Sequence, residues 1–142
     1  MRRYYEFAIV VTLIGALALL LLGALDSVRD DMEEAIVQSE AANLRLGLVE
    51  VLTHRAAFGG NLPQSNNPVD WVASKPTNYL GEFDTVPDAR SAWYFDRQTG
   101  ELVYCFHSGN RARFRLGRGG KDVDGRIVIS GISLQRLDKR HE

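Results

Sequence analysis

Residues Glu6–Leu25 read EFAIVVTLIGALALLLLGAL, and after Glu6 nineteen consecutive residues carry no charge. At about 1.5 Å per residue a helix of this length reaches about 29 Å, close to the roughly 30 Å hydrocarbon core of a bilayer. Upstream stand Arg2 and Arg3; downstream, Asp26, Asp30, Asp31, Glu33 and Glu34 outnumber Arg29. Bases before the span and acids after it place the N-terminus in the cytoplasm and residues 26–142 on the other side. Neither Leu22-Gly23-Ala24 nor Ala24-Leu25-Asp26 offers the small-x-small pattern of signal-peptide cleavage, and the run is longer than the usual h-region, so we expect an uncleaved anchor. Tyr4 and Tyr5 suit the aromatic belt at its edge.

Beyond Leu25 the helical signal continues. Apolar residues recur at Leu25, Val28, Met32, Ile36, Leu44, Leu48, Val51 and Leu52, and no proline occurs before Pro63. Gly59-Gly60 supplies a stop, which predicts one helix from about residue 4 to about residue 58, with Gly23 or Gly47 as places where it could bend. We divide the chain into a transmembrane part over 1–25, an amphipathic continuation over 26–58, a packed connecting loop over 59–90 and an antiparallel β-sheet head over 91–142. The loop is rich in proline and asparagine, with a short helical turn expected over Asn67–Val72.

From Ala92 the pattern turns to strands. Ala92–Phe95 and Leu102–Phe106 flank Asp96-Arg97-Gln98-Thr99-Gly100, as in a β-hairpin. Arg111–Leu116 alternates strictly, with Ala112, Phe114 and Leu116 on one face and three arginines on the other. Gly117–Gly125 marks a turn, and Arg126–Leu137 a last strand bulged at Gly131. The expected fold is α+β, a long N-terminal helix packed on a small antiparallel sheet. A net charge of −1 and a single cysteine, Cys105, exclude an internal disulfide and give no electrostatic case for a nucleic-acid protein. We read Cys105 as a small buried apolar residue.

This layout resembles the type IV pilin family, including the type II secretion pseudopilins. Glu6 and Gly15 have the family's spacing, a glutamate at the head of the apolar run and a glycine nine residues later. The resemblance implies an inner-membrane, single-pass subunit with a periplasmic head. It would enter a filament through its N-terminal helix, alongside other pilin-like subunits and the inner-membrane assembly machinery. It also implies a role for Glu6, which would pair with the N-terminal amine of an adjoining subunit. Within its own helix Glu6 can equally pair with Arg2 or Arg3. Two departures stand out: Arg2-Arg3-Tyr4-Tyr5 replaces the family's apolar tetrapeptide, and no leader glycine precedes it. Either the true start lies upstream or the chain is a divergent member that is not cut. The alternative is a non-polymerising single-pass membrane protein whose periplasmic head binds a cell-envelope partner.

The row Arg111, Arg113, Arg115 has two readings, a solvated edge that resists aggregation and a contact with the acidic Asp26–Glu34 stretch of a neighbouring subunit. A patch this short on a barely basic head argues against nucleic acid. Asp122-Val123-Asp124-Gly125 holds two of the six or more oxygens a calcium site needs, and His54, His107 and His141 lack metal-ligand spacing. We expect no cofactor, no metal and no enzymatic activity, since no nucleophile elbow, P-loop or dinucleotide fingerprint is present.

Overall fold

The computed structural model describes residues 1–118 and 132–137. One helix, α1 (Arg2–Phe58), is followed by a 3₁₀ turn (Pro68–Trp71) and five strands. These are β1 (Tyr79–Phe83), β2 (Ala92–Asp96), β3 (Glu101–Cys105), β4 (Arg111–Arg118) and β5 (Ile132–Arg136). The chain divides into two units, Met1–Glu34 and Ala35–Glu142. The first consists of helix alone. The second contains the rest of α1, the loop and the sheet.

The sheet is five-stranded in the order β1-β2-β3-β4-β5, and it is mixed. β2 to β5 pair antiparallel, whereas β1 pairs parallel with β2. This corrects the expectation of a purely antiparallel sheet confined to 91–142, because β1 lies inside the stretch read as loop. Burial alternates along β1, but polarity does not, because the apolar Leu80 stands on the exposed side. The register with β2 shifts between Tyr79 and Glu82, where Gly81 adopts φ 116°, a left-handed geometry suited to glycine. Parallel neighbours usually need a crossover of about a dozen residues or more. Here residues 84–91 suffice, and the chain enters β2 through Ser91 at φ 52°. Asn78, also left-handed at φ 57°, donates from Nδ2 to the Ser91 carbonyl at 3.2 Å and so ties together the starts of the two strands.

The β2–β3 hairpin closes through Asp96. Its Oδ1 accepts from the amides of Gln98 (2.9 Å) and Thr99 (3.4 Å), while its carbonyl accepts from Gly100 N at 2.9 Å. Asp96 and the left-handed Gly100 therefore build the turn. In β4, Ala112 and Phe114 are buried while Arg111, Arg113 and Arg115 are exposed, as strict alternation requires. Of the last predicted strand, Ile132–Arg136 is seen as β5; residues 126–131, with the bulge proposed at Gly131, lie outside the described residues, as does most of the Gly117–Gly125 turn.

One face of α1 fills the core of the second unit. Val37, Ala41, Leu44, Leu48 and Leu52 are buried at spacings of three and four. Val37, Ala41, Leu44 and Leu48 cluster with Trp93, Phe95, Leu102, Tyr104, Ala112, Phe114 and Leu134 of the sheet, and with Val69 and Trp71 from the 3₁₀ turn. This shifts the predicted stripe. Ile36 is half exposed and Val37 takes its place, with Ala41 one turn on. An alanine contributes little to a hydropathy count, yet it lets the helix approach the rings beneath it. Those rings form a run: Trp93 lies 5.1 Å from Tyr104 and 5.5 Å from Phe114, and Tyr104 lies 5.1 Å from Phe106.

Polar groups fasten the loop onto this core. Glu40 of α1 accepts from the Thr77 amide at 2.9 Å and from the Trp93 indole nitrogen, so one carboxylate ties helix, loop and sheet together. Asn67 is 1% exposed and fully used. Its Nδ2 donates to the Tyr79 hydroxyl (2.8 Å) and Glu82 Oε1 (2.9 Å), and its Oδ1 accepts from Val69 N (3.1 Å). Asn67 thus caps the 3₁₀ turn, as its position before Pro68 suggests, and also anchors β1.

Candidate functional site

Over Phe7–Leu25 of the first unit α1 is apolar all round. From Phe7 to Leu25 every residue is exposed, including the aliphatic side chains of Leu13, Leu19 and Leu20. A soluble helix would bury one face, and this stretch shows no buried face among the described residues. The single hydroxyl in the run, Thr12, returns its proton to the Ala8 carbonyl at 2.8 Å, so it presents no unsatisfied donor. This helix is long and apolar enough to cross a membrane.

Glu6 lies 3.8 Å from Arg2 across one turn, so its own helix supplies a cation. Both groups are largely exposed, and in water such a pair contributes about 0.3–0.5 kcal/mol. At Gly15 and Gly23 an added Cβ would meet nothing within 4 Å. Packing inside the chain therefore does not demand glycine at either position.

The outer face of the sheet, turned away from α1, carries the arginine row. Cross-strand register places Arg111 beside Cys105, Arg113 beside Val103 and Arg115 beside Glu101. Glu101 is buried, and it receives Arg115 Nη2 at 2.6 Å and Arg113 Nη1 at 4.0 Å. A buried carboxylate needs such partners, so at least two of the three arginines already balance a charge of the same sheet. Glu101 sits in an apolar strand, and residue pattern alone did not single it out; the register reveals its partners.

Beneath the arginines, Tyr94, Val103 and Cys105 form a second, smaller buried cluster with Phe83 against it. Burial pushes the Cys105 thiol above its usual value, against the opposing pull of Arg111. Burial likewise raises the Tyr94 phenol, reinforced by Cys105 and opposed by Arg111. Cys105 is thus a protonated, enclosed thiol with weak nucleophilic character.

A cleft of about 420 Å³ opens between α1 and residues 72–77, lined by Glu40, Asn43, Leu46, Gly47 and Glu50 from the helix. Within it Glu40 accepts from the Thr77 amide and the Trp93 indole nitrogen. Among the described residues no group of three or more His, Cys, Asp or Glu side chains is placed to hold a metal ion. His54 stacks against Phe58 at 4.9 Å. The Asp122–Gly125 fragment and His141 lie outside the described residues.

Glu6 and Gly15 belong to the first unit and the arginine row to the second, and each is described within its own unit. Comparison with known proteins finds no matching family model, no matching curated protein and no matching solved structure.

Proposed function

We propose that this protein is a pilin-like subunit, a minor pilin or pseudopilin of a type IV pilus or type II secretion filament. It would sit in the inner membrane as a single-pass protein, with its N-terminus cytoplasmic and its β-rich unit periplasmic, and assemble through its N-terminal helix. Its work would be structural rather than catalytic. One observation carries the proposal: α1 is a single helix of 57 residues that is apolar and exposed on every side over Phe7–Leu25, and further along it supplies the buried face Val37–Leu52 of an α+β unit. An exposed apolar surface this long is stable only if lipid or other apolar helices cover it.

The 3.8 Å approach of Arg2 to Glu6 favours a second reading, a solitary membrane protein whose carboxylate is neutralised at home and whose periplasmic unit binds a cell-envelope partner. Glu6→Ala separates the two. If an adjoining subunit's cation is its partner, the variant stays in the membrane fraction but is lost from sheared filament fractions and from crosslinks to other subunits. Undiminished incorporation of Glu6→Ala would refute the assembly role and leave the solitary reading.

A further inference from the structure

The face of α1 directed away from the core is bordered at Leu46 and Glu50 by the cleft with residues 72–77 and is otherwise left open by the described residues, yet it is not a charged, solvated surface. Ser39, Ala42, Leu46, Val49, Thr53 and Ala56 all lie exposed along it, separated by alternating steps of three and four residues. Leu46 is 68% and Val49 56% exposed, in the middle of the row. A three-four alternation of uncharged residues over two and a half heptads is the pattern of a helix seam, and the small residues at its ends would let a second helix approach closely.

The charges flanking this row indicate what would cover it. Arg45 immediately precedes Leu46 and Glu50 immediately follows Val49, and both are exposed. They stand on opposite edges of the face, five residues apart. In a parallel, in-register pair of helices, the residue before one seam position lies against the residue five further along in the partner. A second copy therefore brings Arg45 against Glu50 on both sides of the seam. An antiparallel pair would oppose arginine to arginine and glutamate to glutamate, which is unfavourable. The Arg45 Nε donates to the Leu134 carbonyl at 3.1 Å, which restrains the side chain while using one of its five N–H groups.

We infer that the outward face of α1 over Ser39–Ala56 is a self-association surface, on which a second copy of this chain docks parallel and in register. The inference builds on the membrane-anchored reading, since anchoring supplies the parallel orientation. It also compensates for the shortness of the seam: tethering two copies in one bilayer raises their effective concentration to about the millimolar range.

The test uses the full-length chain carrying Cys105→Ala, reconstituted in liposomes, with one cysteine introduced at a time and disulfides formed by copper phenanthroline. Leu46→Cys and Val49→Cys should crosslink to their own equivalents about tenfold more than His54→Cys, an exposed position of α1 off the seam. Adding Glu50→Arg to Leu46→Cys should lower the yield, and Arg45→Glu together with Glu50→Arg should restore it. If the double variant loses its native tryptophan fluorescence, Glu50→Arg alone decides. Equal crosslinking at 46, 49 and 54, or a yield that Glu50→Arg leaves unchanged, would overturn the inference. Membrane insertion is read separately by carbonate extraction, so failure of the anchor and failure of the seam give different results.

Discussion

Gly47→Ala is expected to destabilise the second unit, although alanine is the better helix former. Within a helix the change gains about 0.8–1 kcal/mol in propensity. Here a Cβ on residue 47 would lie 2.6 Å from Val72 Cγ1 and 3.2 Å from Val72 Cβ. Those atoms cannot swing aside, because a β-branched side chain is stiff at χ1 and residues 72–77 are fixed to α1 through Thr77 and Glu40. Overpacking of this kind costs about 1–3 kcal/mol, so the net effect is a loss of up to about 2 kcal/mol. In a Val72→Ala background the Cγ1 obstruction is absent and only the 3.2 Å approach to Cβ remains, so the same substitution should range from neutral to stabilising by up to about 1 kcal/mol. The coupling between the two sites is then about 1–3 kcal/mol, well above the error of a double-mutant cycle. Urea denaturation in a mild detergent, followed by tryptophan fluorescence, reports on it directly, since Trp71 and Trp93 both lie in the core that α1 closes. If Gly47→Ala stabilised equally in both backgrounds, the close passage of residue 72 over the helix would be refuted.

Three further outcomes follow from buried polar groups of the sheet. Glu101→Gln should cost about 1–3 kcal/mol, because it removes the charge from a buried acceptor of Arg115 and Arg113; a shift in the urea midpoint checks it, and an unchanged midpoint would mean that the arginines do not depend on this carboxylate. Alkaline pH should weaken the fold. Tyr79, Tyr94 and Cys105 all have folded values raised above the usual ones, chiefly by burial, so their contribution is fully present below about pH 9 and is lost as pH rises through the raised values. Midpoints measured from pH 7 to 11 should fall, and the Cys105 thiol should react with maleimide only once the chain unfolds; a flat profile or rapid labelling of native protein would contradict the burial.

The parts of the fold legible from sequence are those with local causes. A nineteen-residue charge-free run, the absence of proline before Pro63 and the Gly59-Gly60 stop specify α1 without reference to anything else in the chain. Strict alternation specifies β4, and an aspartate and a glycine at the two ends of its turn specify the β2–β3 hairpin. β1 was not legible, because the apolar Leu80 occupies an exposed position and a glycine follows it, so polarity does not alternate along the strand, and its parallel partner is set by Asn67, Asn78 and Ser91 rather than by its own residues. Val37 and Ala41 join the core face because the stripe shifts by one residue after Met32: spacing from Leu25, Val28 and Met32 leads to Ile36, whereas contact with the sheet selects Val37 and Ala41.

The same division holds for the candidate sites. Glu6, Gly15 and the apolar span are properties of one helix, and their spacing is written in the chain. Only tertiary structure shows that Arg113 and Arg115 already serve Glu101 across a strand pair. It likewise shows which side of α1 beyond residue 35 faces the sheet, and hence that Leu46 and Val49 are left outside. Helical periodicity proposes faces, but contact with a second element is needed to decide which of them is buried. The sequence by itself determined the membrane-length helix and most of the strands; the packing of sheet and loop against α1 determined which of its surfaces remain for partners.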